Sequence, residues 1–130
     1  MQLFLVRHAI AMPPSSERPD AARPLTAKGR ARFVKVVRGL KELGWRFDRL
    51  YHSPLVRAVQ TAELLQPLVT GESVVMPDLA RAPDEEMLAH LEGTKVALVG
   101  HEPHLGALLA WLVTGDAGRG ERFCFKKGGV

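Results

Sequence analysis

The sequence predicts an α/β fold, a three-layer α/β/α sandwich on a mostly parallel central sheet. Two short runs, residues 3–6 and 95–99, are almost continuously apolar, which suits strands covered on both faces. Between and beyond them, strand-like runs alternate with segments of helical period, the pattern of successive βαβ units. A chain of 130 residues, 46% hydrophobic and 25% charged, is the size of one ordinary domain spanning 1–130, and no second compositional regime marks a boundary.

Taken in order, the strand at 3–6 stops at Arg7-His8, where two polar side chains cap an apolar run. Residues 12–25 hold Pro13, Pro14, Pro19 and Pro24 among serines and charges, so an irregular loop is expected. Thr26 is placed as a helix N-cap ahead of Phe33, Val36, Val37, Leu40 and Leu43 at helical spacing, and Gly44 supplies the stop. A second strand is expected at 48–52. Ser53 follows as an N-cap with Pro54 in the first helical position, and Leu55, Val59, Ala62 and Leu65 form the buried stripe. Residues 73–76 read as a third strand and 84–91 as a third helix. The strand at 95–99 ends at Gly100-His101. Pro103 then opens a helix with Leu105, Leu108, Leu109 and Leu112 on its apolar side, closing near Gly115. Residues 123–125 read as a last strand, and the final residues look like the beginning of a hairpin, so the expectation is either a longer natural chain or a domain that lacks an edge strand.

Composition narrows the function classes. Eighteen Lys and Arg against 14 Asp and Glu give +4, a mild excess that favours anionic partners. No helix-turn-helix, zinc-finger or interleaved aromatic–basic signature is present, so no nucleic acid partner is expected. No apolar run approaches the roughly 18 residues of a membrane span, so no membrane association is expected either. The first six residues lack a basic leader and run into Arg7, unlike a signal peptide. Cys124 is the sole cysteine, which excludes an internal disulfide and a cysteine-based metal array and points to a reducing cytoplasm.

In open parallel sheets, ligands bind beyond the carboxyl ends of the strands. Arg7-His8, the stretch from His52-Ser53 to Arg57, and Gly100-His101 all fall there. A lone histidine at a strand end would be a hydrogen-bonded core residue, and a lone arginine a solvated one. Arg7, however, sits at the edge of an apolar run, where burial without an anion is costly. Arg57 lies in the first turn of its helix, where free N–H groups and the macrodipole attract anions and disfavour cations unless both share a phosphate. His101 repeats the pattern of strand end, polar residue and helix start. Two arginines and two histidines at one rim make a phosphoryl site with a histidine available as nucleophile. Neighbouring side chains on a strand point to opposite faces, so the chain must bend for Arg7 and His8 to share a site. His104 with Glu102 and His101 offers a metal reading, which the intervening Pro103 disfavours. His52 and His90 have no constellation around them, and Trp45 and Trp111 read as packing residues.

Four segments, Leu5-Val-Arg-His-Ala-Ile-Ala, Arg23-Pro-Leu-Thr-Ala-Lys-Gly-Arg, Ser53-Pro-Leu-Val-Arg-Ala-Val-Gln-Thr-Ala and Val99-Gly-His-Glu-Pro-His-Leu, run in order along almost the whole chain. Together they resemble the histidine phosphatase (phosphoglycerate mutase-like) superfamily, and within it the short phosphohistidine phosphatases of SixA type. The resemblance implies a phosphoglycerate mutase-like fold, His8 as the nucleophile that becomes phosphohistidine, and Arg7, Arg57 and His101 as ligands of the phosphoryl oxygens. It implies neither cofactor nor metal. Neighbouring arginines should also keep His8 neutral. Ala9 follows His8 where many members have glycine, a change common in the SixA-like group. For a general acid the sequence offers only the cluster Asp84, Glu85 and Glu86, which reads equally as a solvated helix start. The implied substrate is a phosphohistidine-bearing protein, such as a phosphotransfer domain, whose imidazole leaves far more easily than an alkoxide. A small phosphate ester is the alternative substrate, and a basic anion-binding module without catalysis is the alternative class.

Overall fold

The computed structural model describes residues 1–123 and 125–130. Four strands, β1 (Gln2–Arg7), β2 (Phe47–His52), β3 (Val69–Val75) and β4 (Lys95–Gly100), alternate with four helices: α1 (Ala27–Glu42), α2 (Val56–Leu65), α3 (Glu85–Ala89) and α4 (His104–Thr114). The strands form one sheet in the order β1-β4-β2-β3 with every pairing parallel. β4, paired on both sides, is fully buried from Val96 to Val99, which explains its unbroken apolar sequence.

Side chains alternate across the sheet into two cores. Val6, Leu50, Ala97 and Val99 pack with Phe33 and Val37 of α1 and Ala58, Ala62 and Leu65 of α2. Leu5, Tyr51, Val96 and Leu98 pack on the other face with Met87 of α3 and Leu105 and Leu108 of α4. The expected three layers follow. Trp45 and Trp111 are partly buried against these two clusters as packing residues.

The first helix starts as expected: Thr26 Oγ1 accepts the Gly29 amide at 2.8 Å. Thr26 N also donates to Ile10 O at 2.9 Å, and a Cβ on Gly29 would lie 2.3 Å from that carbonyl, so only glycine lets α1 approach the segment after His8 so closely. Gly44, at φ 81°, lies beyond the helix end.

Several expected boundaries shift. α2 begins at Val56 with Leu55 as N-cap, so Ser53 and Pro54 precede the helix rather than open it. β3 starts at Val69, earlier than expected, because an exposed edge strand tolerates Thr70, Gly71 and Glu72, which carry no strand pattern. α3 stops at Ala89 rather than at 91. Phe123 and Phe125 are not in a strand, and Cys124 between them lies outside the described residues. The tail instead turns at 126–129 and pins itself to the chain around His8: Arg7 N donates to Gly129 O at 3.0 Å and Gly128 N to His8 O at 3.0 Å. Among the described residues, no helix is long and apolar enough to cross a membrane.

Candidate active site

The register of the sheet assembles the site. Arg7 lies opposite Gly100 and His52 opposite Val99, so the segments leaving β1, β2 and β4 emerge at one rim. Each ladder continues one step further, through His8 N to Gly100 O (3.1 Å) and Ser53 N to Val99 O (3.0 Å). The segment that leaves β1 is tied to α2. Ala9 N donates to Thr61 Oγ1 at 3.0 Å, while the Thr61 hydroxyl donates to Arg57 O at 2.7 Å. His8 and His101 are both buried, with ring centroids 5.1 Å apart.

The two guanidiniums are each anchored from one side. Arg57, buried in the first turn of α2, donates from Nη1 to Asp20 O (3.0 Å) and from Nη2 to Asp20 Oδ2 (3.2 Å). Arg7 Nη1 donates to Phe125 O at 2.6 Å. Among the described residues, Arg7 Nε and Arg57 Nε are buried without a hydrogen-bond partner, and so is His101 Nδ1. An unsatisfied buried donor costs on the order of 1–3 kcal/mol, so three such atoms on the segments that meet at this rim suit an oxyanion.

His8 Nδ1 lies 2.7 Å from Ala9 O. The carbonyl can only accept, so Nδ1 carries the ring proton and Nε2 keeps its lone pair. His101 Nε2 lies 2.7 Å from Ser53 Oγ. When the serine hydroxyl donates to it, the unpartnered Nδ1 is the N–H donor. Burial pushes His8 down to about 4, helped by Arg57, Arg7 and Lys127 and opposed by the Ala9 carbonyl. Burial likewise lowers His101 to about 3, with His8, Arg57 and His104 adding to it and Asp20 opposing. Both rings are neutral at pH 7.

This has a consequence for stability. Both folded-state values lie below the unfolded value of 6.5, so the unfolded chain binds more protons as pH falls through 6.5 toward 4. The stabilisation from the neutral rings is therefore complete above about pH 6.5 and is lost on acidification, by roughly 2 kcal/mol per histidine at pH 5. Urea unfolding should show wild type losing about twice as much stability between pH 7.5 and 5.0 as His101→Gln. Equal losses would remove His101 from the account.

The acidic candidates behave differently from one another. Asp84 is the N-cap of α3. Its Oδ1 accepts from Met87 N (2.8 Å), its Oδ2 from Arg81 Nη1 (2.6 Å), and these contacts hold its carboxyl below the usual range, which opposes a proton-donating role. Glu85 and Glu86 are exposed in the first turn, favoured there by the helix dipole. Among the described residues, none of the three hydrogen-bonds with Arg7, His8, Arg57 or His101.

The carboxylate that does reach the rim is Asp20, which sequence reasoning left in the proline-rich loop. Hydrogen bonding to Arg23, and then the charge of Arg57, lower its pKa. Its i,i+3 spacing to Arg23 was the available signal. Ser53 and Thr61 were also missed as site residues, because their hydroxyls pair across 48 and 52 positions of sequence. His104 begins α4, and Glu102 Oε1 accepts from Phe125 N at 3.4 Å. Among the described residues, no group of three or more His, Cys, Asp or Glu is placed to hold a metal. His52, which had no expected constellation, is buried at the same rim with Nδ1 2.9 Å from Ser53 O.

Comparison with known proteins adds a second line of argument. The model of the histidine phosphatase superfamily (branch 1) matches residues 3–82. An uncharacterized protein of Picosynechococcus sp. is 37% identical over 138 residues, covering 100% of this chain and 82% of its own. Phosphohistidine phosphatase SixA of Escherichia coli is 29% identical over 125 residues, covering 89% and 76%. The crystal structure of a putative SixA from Agrobacterium tumefaciens superposes with a TM-score of 0.81 at 25% identity, covering 97% of this chain and 86% of that one.

Proposed function

This chain belongs to the histidine phosphatase superfamily, and on that premise we propose that it is a metal-independent phosphatase acting on phosphohistidine in a protein partner, with His8 as nucleophile. One observation carries the mechanism: the contact of His8 Nδ1 with Ala9 O, which leaves a buried, neutral ring with the Nε2 lone pair available in the field of Arg57 and Arg7. Nε2 attacks phosphorus, the bond from phosphorus to the leaving group breaks, and the phosphoryl group passes to His8. Water then attacks the phosphohistidine and releases inorganic phosphate. Arg7, Arg57 and the His101 Nδ1–H stabilise the charge on the phosphoryl oxygens, which is most of what this chemistry asks of a protein.

Two features support a protein phosphohistidine as substrate. With Asp84 committed to its cap and to Arg81, the leaving group is best one that departs readily, and imidazole does so far more easily than an alkoxide. Two connections at the rim are also short: only Ser53–Leu55 separates β2 from α2, and only His101–Pro103 separates β4 from α4, which suits a side chain presented by another protein. The same short connections suit a small phosphate ester, the second reading.

The test follows phosphate release from a phosphohistidine peptide and from an aryl phosphate, with chelator present. Much faster turnover of the phosphoramidate is expected. Faster ester hydrolysis would assign a small-molecule phosphatase, and no release from either would leave an anion-binding module.

A further inference from the structure

Positive charge is concentrated on one element. Helix α1 carries six of the chain's 18 cations, namely Lys28, Arg30, Arg32, Lys35, Arg38 and Lys41, and one of its 14 acids, Glu42. It therefore holds a formal +5 while the remainder of the chain is −1. Like charges three and four residues apart on a helix repel, so this pattern works against the stability of α1. Among the described residues, none of the six takes part in an ion pair. Lys28, Arg32 and Lys35 are exposed and lie at i, i+4 and i+7, a row of roughly 10 Å along one face.

The row borders a notch of about 90 Å³ beside the catalytic strand end, lined among others by Ala9, Ile10, Arg32, Phe33, Val36 and Lys127. Its far wall is the tail turn, fixed by Gly128 N donating to the carbonyls of Arg7 (3.2 Å) and His8 (3.0 Å), so Lys127 is presented next to His8. Apolar atoms of Phe33 and Val36 thus lie between cations on two sides. A nucleic acid would use the row but has nothing to place in a notch the size of one side chain. A glutamate, with an aliphatic stem and a terminal carboxylate, fits both.

Resting on the phosphatase reading above, we propose that the outer face of α1 and this notch dock an acidic segment flanking the phosphohistidine of the protein substrate. Two chemically phosphorylated peptides of equal length test this, one with glutamates and one with glutamines around the phosphohistidine. Wild type should bind the acidic peptide about tenfold more tightly at low salt, and the preference should weaken at 0.5 M salt, where the Debye length falls to about 4 Å. The triple variant Lys28→Gln, Arg32→Gln, Lys35→Gln should lose the preference yet hydrolyse an aryl phosphate at the wild-type rate. Removing the same charge away from α1, with Arg46→Gln, Lys95→Gln and Arg119→Gln, should leave the preference in place. Equal affinities for the two peptides, or a preference surviving the first triple variant, overturn the docking face. So does a nucleic acid duplex that binds the row more tightly than the acidic peptide and displaces it. Preferential binding without hydrolysis of either substrate keeps the docking face and removes the phosphatase reading, whereas hydrolysis without preference does the reverse.

Discussion

Replacing His8 with alanine is expected to lower kcat/KM by about 10⁴-fold or more, because no other group then takes the phosphoryl group and the remaining cations only bind it. Acid-sensitive, alkali-stable labelling of the protein by a ³²P-phosphoryl donor should disappear in the same variant. The geometry ties both results to one atom. Ala9 O holds the Nδ1 proton, so Nε2 is the only ring nitrogen of His8 free to react. Turnover within tenfold of wild type, or a label that survives the substitution, would remove His8 from the mechanism.

Arg57→Ala should produce the next largest loss, about 10²–10³-fold in kcat/KM, because a preorganised donor aimed at developing charge is worth most in a buried site. Arg57→Lys should recover only part of it, since an ammonium keeps the charge but lacks the planar fork. Folding should be little affected. Asp20 retains its 2.8 Å pair with Arg23 and is largely exposed, so losing the 3.2 Å contact to Arg57 leaves no buried charge uncompensated. Denaturant midpoints measured beside the kinetics separate the two effects. An activity loss matched by unfolding would make Arg57 structural.

Parts of this architecture were legible before any coordinates. Thr26 caps α1 through an amide three residues away, and the apolar run at 95–99 forms an inner strand whose two faces are buried in the two cores. Both signals are local. The start of edge strand β3 carries no strand pattern because five of its seven residues are exposed. Ser53 carries the local signature of a cap, and its Oγ does accept Leu55 N at 3.2 Å, but α2 begins three residues on and the contact with His101 spans 48 residues.

The sequence by itself determined the periodic elements, the fold class and the residue types at the strand ends, because those depend on short-range spacing and composition. Tertiary structure alone decided how they meet. Placing β4 between β1 and β2 brings His101 beside His8 and Ser53, and folding the segment that follows β1 onto α2 sets Asp20 on Arg57. It also decided the protonation of the rings. The neighbouring arginines already pointed to a neutral His8, but desolvation, the larger cause, is a property of what packs around the ring and brings it to about 4.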